Sequence, residues 1–92
     1  MLLKNLIKKS YIKFKNLKIR GLAVNSKKVK KGFIFFAIKG HNSNGEKYIS
    51  EAINNGAKVI VCSEQCNFKN DKIDIIKSKN VRKTLSEIIS KF

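Results

Sequence analysis

The 92-residue chain has no proline and no tryptophan, and it contains only two cysteines, one histidine and six acidic residues. Two cysteines are too few for a disulfide framework, so we expect Cys62 and Cys66 to be free thiols in a reducing cytoplasm. Their C-x3-C spacing lacks a second pair of ligands, and the single histidine, His41, lies far away in the sequence. The sequence therefore predicts no metal site.

Long hydrophobic runs are also missing. The longest apolar run, Phe33 to Ile38, is far shorter than the roughly 20 residues that span a membrane. The first 15 residues intersperse lysine with apolar residues and resemble no signal peptide, so we expect a cytoplasmic protein without a membrane span. Apolar residues recur in this segment at three- and four-residue spacing, which predicts a basic amphipathic helix within residues 1–16, strongest over 2–9. We expect this helix to dock on its own domain.

The shortage of acidic residues leaves 21 basic residues and a net charge of +15. Such a charge is typical of proteins that bind nucleic acid or an anionic membrane surface. However, Arg20 and Arg82 are the only arginines, and lysine, isoleucine and asparagine share A/T-rich codons that produce a basic excess by composition alone. We therefore expect no nucleic-acid partner. The alternative interpretation of the charge is that the chain is a small basic protein that binds nucleic acid or a membrane surface.

Apolar patterns along the chain predict alternating strands and helices. The strands are expected at 19–24, 33–38, 57–62 and 73–76. Gly32 is available for a positive φ angle in the basic turn at 27–32, and Gly56 is placed as a helix C-cap. The pattern predicts a single α/β domain over 1–92, with a small mixed sheet flanked by helices.

Two helices are predicted after the second strand. The first has an apolar face of Tyr48, Ile49, Ala52 and Ile53, and the second has an apolar stripe of Val81, Leu85, Ile88, Ile89 and Phe92. Ser43 and Glu46 have the spacing of a capping box for the first helix, and Ser78 or Asn80 is the predicted cap of the second.

The loop from Gly40 to Gly45 contains no apolar side chain and includes His41. The chain has no Ser-His-Asp order and no pair of neighbouring carboxylates, and no Lys follows the Gly-x-x-x-x-Gly spacing of this loop, so we predict no catalytic residues. A loop at a strand end favours ligand binding through short polar side chains, and 25–27 is expected to face the same ligand. Capping and turn formation are the alternative roles for these residues.

Several motifs with fixed spacing occur together between Gly21 and Glu64. They are Asn25-Ser26-Lys27, Gly32-Phe33, Phe35/Phe36-Ala37, Gly40, Asn44-Gly45 and Gly56-Ala57. This pattern resembles the N-terminal domain of Mur ligases, and most of all the MurE type, in which the first motif is Asp-Ser-Arg and the loop carries Asp-Gly. The segment from Ile73 to Phe92 is similar to the last strand and helix of that domain.

The resemblance implies a domain that holds the uridine nucleotide end of UDP-MurNAc-dipeptide, a peptidoglycan precursor. Its contacts would fall on Val24, Ser26, His41, Asn42 and Ser43. Asn25 and Lys27 replace the family's Asp and Arg, which we expect to weaken a salt bridge of the family.

The same resemblance implies that ATP and Mg²⁺ serve the full-length ligase and that no cofactor is bound by this chain. We expect the chain to be inert by itself, as a fragment, a truncated form or a separately encoded domain whose missing ligase domains lie on another chain. A MurF-type domain and a vestigial domain that folds but binds nothing are the further alternatives.

Overall fold

A computed structural model describes residues 19–40, 44–70 and 72–89 of the chain. The predicted helix within 1–16, the loop residues His41, Asn42 and Ser43, and Phe92 lie outside the described residues.

Four strands form one sheet, in the order β1 (Gly21–Ala23), β2 (Phe33–Phe36), β3 (Val59–Ser63) and β4 (Asp74–Ser78). Each strand is parallel to its neighbour. The predicted α/β class is therefore confirmed, whereas the described sheet is parallel throughout and not mixed. The physical reason is that each connection returns the chain to the amino edge of the sheet before the next strand begins, as crossover connections do.

In the described part of the chain, one α-helix packs on each face of the sheet. The α1 helix (Ile49–Asn54) follows a 3₁₀ turn at Gly45–Tyr48, and α2 (Val81–Ile89) follows β4. Successive residues of a strand point to opposite faces, so Ile34 and Phe36 pack in the cluster that contains α2, and Phe35 packs in the cluster that contains α1. The sheet is thus buried on both sides, which explains its continuous apolar strands.

Two glycines turn the chain at the amino edge of the sheet, as the sequence predicts. Gly32 has a φ angle of +88° and Gly56 has a φ angle of +115°. The backbone N–H of Gly32 donates to the carbonyl oxygen of Gly56 at 2.9 Å, so the two turns support each other.

Two apolar side chains lie outside the buried faces on which the helical pattern placed them. Tyr48 is 46% exposed because it ends a 3₁₀ turn, whose three-residue period differs from that of the following helix. Ile89 is 54% exposed because it is rotated by about 100° from buried Ile88. Within the described ranges, no helix is long and apolar enough to cross a lipid bilayer.

Candidate functional site

A cleft of about 530 Å³ opens at the carboxyl edge of the parallel sheet. Its walls come from residues 24–27 after β1, from Ile38, Gly40 and Gly45 around the loop after β2, and from Tyr48 and Arg82. Ligands of open parallel sheets bind at this edge, and the volume lies within the range of about 300–1,000 Å³ for small-molecule sites. The cleft is therefore the candidate binding site.

The segment after β1 offers the cleft an apolar and a polar side chain. Val24 is 51% exposed, whereas Ser26 is only 5% exposed. The Ser26 hydroxyl donates to Oε1 of Glu51, and Nδ2 of Asn55 donates to the Ser26 carbonyl oxygen at 2.9 Å. These bonds fix the segment to α1 and leave the Ser26 hydroxyl oxygen as an acceptor.

Asn25 shapes the short 3₁₀ helix that follows it. Its Oδ1 accepts a hydrogen bond from the backbone N–H of Lys27 at 2.9 Å, so Asn25 caps the 3₁₀ helix Ser26–Lys28. Asparagine supplies this acceptor without a negative charge, so Asn25 stabilises the local turn.

The loop after β2 has both of its ends held together at the cleft. Lys39 and Asn44 form an isolated antiparallel bridge, and the backbone N–H of Gly45 donates to the carbonyl oxygen of Ile38 at 2.8 Å. A Cβ atom at Gly45 would lie 2.7 Å from the backbone nitrogen of Ile38, so this close approach requires glycine. Residues 41–43 are thus flanked by positions that line the cleft or close the loop.

Glu46 links this loop to the end of β3. Its Oε2 accepts from the Ser63 hydroxyl at 2.7 Å and from the Ser63 backbone N–H at 3.3 Å, and its Oε1 lies 3.6 Å from Nζ of Lys39. The cap at this position is Asn44, whose Oδ1 accepts from the backbone N–H of Glu46 at 2.9 Å. The Ser43 half of the predicted capping box lies outside the described residues.

A second cavity of about 180 Å³ adjoins the cleft at the ends of β2, β3 and β4. Ile38 and Arg82 line both spaces. Asn80 caps α2, since its Oδ1 accepts from the backbone N–H of Lys83 at 3.0 Å. The Ser78 hydroxyl in turn accepts from the backbone N–H of Asn80 at 3.1 Å, so of the two predicted caps Asn80 is the direct one.

The two cysteines lie in the core, in the cluster that contains α1. Both are free, as predicted, and both are buried. Burial, followed by the neighbouring Cys66 thiol, raises the pKa of Cys62 to about 12, so this thiol stays protonated at neutral pH. Across 19–40, 44–70 and 72–89, no group of three His, Cys, Asp or Glu side chains is arranged to hold a metal ion.

The structure brings together two of the five predicted contact residues, Val24 and Ser26, in one cleft. The other three, His41, Asn42 and Ser43, lie outside the described residues. Sequence reasoning missed Tyr48 and Arg82 as cleft residues. Tyr48 was assigned to a buried helix face. One signal could have identified Arg82. It follows the fourth predicted strand, and the other cleft segments also follow the carboxyl ends of strands.

The fold and cleft define a small α/β domain with an open cleft at the carboxyl edge of a parallel sheet, where ligands of such sheets bind. A family model described as "Mur ligase family, catalytic domain" matches residues 18–92. The chain therefore belongs to the Mur ligase family.

Two relatives carry the same name, UDP-N-acetylmuramoyl-L-alanyl-D-glutamate–2,6-diaminopimelate ligase. The protein of Rickettsia prowazekii is 44% identical over 79 residues, which cover 86% of this chain and 16% of the relative. The protein of Clostridium tetani is 38% identical in an alignment 100 residues long, which covers 100% of this chain and 20% of the relative. The chain thus spans between a sixth and a fifth of the length of these relatives.

Solved structures with a similar fold are ligases of the MurF type. The MurF ligase of Thermotoga maritima, in complex with ADP, has a TM-score of 0.66 and 32% identity, over 80% of this chain and 17% of that chain. MurF of Acinetobacter baumannii has a TM-score of 0.64 over 75% of this chain and 15% of that chain, and its 20% identity supports the fold alone.

Proposed function

We propose that the cleft binds the uridine diphosphate end of UDP-MurNAc-L-Ala-D-Glu, for a ligase of the diaminopimelate-adding type. The observation that carries the proposal is the position of the cleft, at the carboxyl ends of β1 and β2 in a chain of the Mur ligase family. The relatives indicate the substrate, since both are named as ligases that act on UDP-N-acetylmuramoyl-L-alanyl-D-glutamate.

Each proposed contact has a distinct chemical role. Val24, half-exposed at the cleft, packs against the uracil or ribose face. Ser26 offers its hydroxyl oxygen as an acceptor, because its proton is donated to Glu51. His41, Asn42 and Ser43 supply donors and acceptors from the loop whose ends are joined by the Lys39–Asn44 bridge.

Catalysis is proposed to need parts of the ligase other than this stretch. ATP and Mg²⁺ would bind those parts, where the substrate carboxylate is activated and the incoming amino acid is held. They would belong to the same polypeptide or to a partner chain in the cytoplasm. This stretch would position the precursor and would contribute no catalytic residue.

The direct test is a titration of the chain with UDP-MurNAc-L-Ala-D-Glu, followed by backbone amide NMR at fixed physiological salt. We expect shifts clustered at Val24, Ser26 and residues 40–45. A folded spectrum that does not change during the titration would reject the proposal and would leave the family relation as ancestry only.

A matched pair of substitutions locates the binding site. Val24→Ala should weaken binding by about tenfold, since burial of two methyl groups contributes about 1.5 kcal/mol. Ile89→Ala removes a similarly exposed aliphatic side chain from α2 and should leave the affinity unchanged. Equal effects of the two substitutions would argue against the cleft.

Within the family, the MurF type is the second candidate, and the T. maritima structure favours it at 32% identity. A related MurF ligase is named for a precursor that already carries 2,6-diaminopimelate. Titration with the dipeptide and tripeptide precursors in parallel compares the two candidates. Tighter binding of the tripeptide precursor would favour the MurF type.

A further inference from the structure

Arg82 lies at the junction of the two cavities. It is an exposed residue in the first turn of α2, and it lines both the cleft of about 530 Å³ and the cavity of about 180 Å³. Among the described residues, only Ile38 also lines both cavities, and its side chain is apolar. Arg82 therefore places a positive charge where the two spaces meet.

The guanidinium of Arg82 has no carboxylate partner among the residues that the structure describes. The Glu46 carboxylate pairs instead with Lys39, at 3.6 Å. Both oxygens of Glu46 are already in contact with Ser63 or Lys39. A charged group of the ligand would thus meet an arginine that need not first break a salt bridge.

Arginine suits a phosphate ligand better than the surrounding lysines do. Its planar fork donates two parallel hydrogen bonds to phosphate oxygens, whereas the Lys27 ammonium at the same cleft is a point charge. The only other arginine, Arg20, precedes β1 at the amino edge of the sheet, where its side chain lies against Gly32. Arg82 is therefore the single guanidinium at the cleft.

We infer that Arg82 binds the diphosphate of the ligand and makes the cleft selective for a nucleoside diphosphate over the uncharged nucleoside. This inference rests on the proposed function, because it assigns one residue to one part of the proposed ligand. Val24 and Ser26 contact the nucleoside, and Arg82 contacts the phosphates across the cleft.

The test compares uridine, UMP and UDP as probes, measured by amide NMR and calorimetry at fixed salt. The wild-type chain should bind UDP at least tenfold more tightly than uridine. Arg82→Gln should weaken UDP binding on the order of 10- to 100-fold and leave uridine binding unchanged, because a charge-assisted bidentate contact is lost. Arg82→Lys should fall between the two, since it keeps the charge and loses the fork.

Lys83→Gln is the matched control. Lys83 is the next residue of α2, it is exposed, and it lines neither cavity, so its substitution removes the same charge from the same helix. It should change UDP affinity by less than about twofold. Thermal melting of both variants should match that of the wild-type chain.

The outcomes separate this inference from the proposed function. If Arg82→Gln and Lys83→Gln weaken UDP binding equally, or if Arg82→Gln weakens uridine and UDP equally, the inference is overturned while the cleft keeps its ligand. If the wild-type chain binds neither UDP nor UDP-MurNAc-L-Ala-D-Glu, the inference and the proposed function both fail.

Discussion

Gly56 shows how strongly one residue can be determined by the backbone around it. Its φ angle is +115°, and a Cβ atom there would lie 2.6 Å from Cα of Lys31. Both the left-handed conformation and the contact penalise alanine, so Gly56→Ala should lower the free energy of unfolding by at least about 1–3 kcal/mol. Urea denaturation measures this loss.

The control for this prediction is Asn54→Ala, in the last turn of the α1 helix that precedes Gly56. Asn54 is exposed, so the substitution should change the free energy of unfolding by less than about 0.5 kcal/mol. If Gly56→Ala were as mild as Asn54→Ala, the turn would not require glycine.

The raised pKa of the buried Cys62 thiol should make the folded chain less stable at alkaline pH. Its pKa is raised from the ordinary value of 9.0 to about 12 in the folded chain, mainly by burial. Between these values the unfolded chain releases the proton and the folded chain retains it, so stability falls as pH rises. This single group should cost about 1.4 kcal/mol per pH unit in that window.

The measurement is urea denaturation at several pH values from 8 to 11, with Cys62→Ala as the control. The variant should be less stable at pH 8, because it leaves a cavity, but its stability should fall less steeply with pH. Equal slopes for the two proteins would mean that Cys62 does not set the alkaline limit.

At the scale of elements, the link from Glu46 to the end of β3 should hold the loop of the site in place. The Glu46 side chain is only 13% exposed and accepts two hydrogen bonds from Ser63. Glu46→Ala leaves these donors without their acceptor, so it should lower the free energy of unfolding by about 1–3 kcal/mol. It should also weaken precursor binding, because the loop that carries residues 41–43 is anchored there.

Lys39→Met separates the hydrogen bonds of Glu46 from its ion pair. The Lys39 side chain is 52% exposed, and exposed ion pairs contribute about 0–1 kcal/mol, so this variant should be nearly as stable as the wild-type chain. A loss as large as that of Glu46→Ala would assign the stabilisation to the ion pair instead.

The elements were largely predictable because their signals are local. Continuous apolar runs gave the strands, and Gly32 and Gly56 were identified from their places beside those runs. The parallel order of the sheet was not predictable from periodicity, since it depends on pairing between distant segments. The spacing from Tyr48 to Ala52 fits an α-helix and therefore predicts a buried face, whereas Tyr48 ends a 3₁₀ turn with a different period.

The site was only partly predictable, because many of its contacts join residues that are distant in the sequence. Val24 and Ser26 were found from a motif, whereas the partner of the Ser26 hydroxyl, Glu51, lies 25 residues further along the chain. Arg82 reaches the cleft only because α2 packs beside the ends of β2 and β3. Contacts of this kind follow from the packing of whole elements and leave no short pattern in the sequence.

At the scale of the whole molecule, the net charge of +15 sets a test between the proposed pocket and a general polyanion surface. The Lys39–Glu46 ion pair offsets little of this charge, and most lysines among the described residues are exposed to solvent. A chain that neutralises six or more phosphates of a nucleic acid loses about 10³- to 10⁵-fold in affinity between 50 and 200 mM salt. A pocket that holds one diphosphate should lose less than about tenfold over the same range.

We therefore expect the affinity for UDP-MurNAc-L-Ala-D-Glu to change little between 50 and 200 mM salt. Affinity for a single-stranded oligonucleotide should fall steeply over the same range. The oligonucleotide should also fail to displace the precursor at 200 mM salt, because the cleft and the lysine surface are then separate sites. Efficient displacement, together with a steep salt dependence for both ligands, would instead make the basic surface the functional feature of the chain. In that case the cleft would owe its form to ancestry within the Mur ligase family.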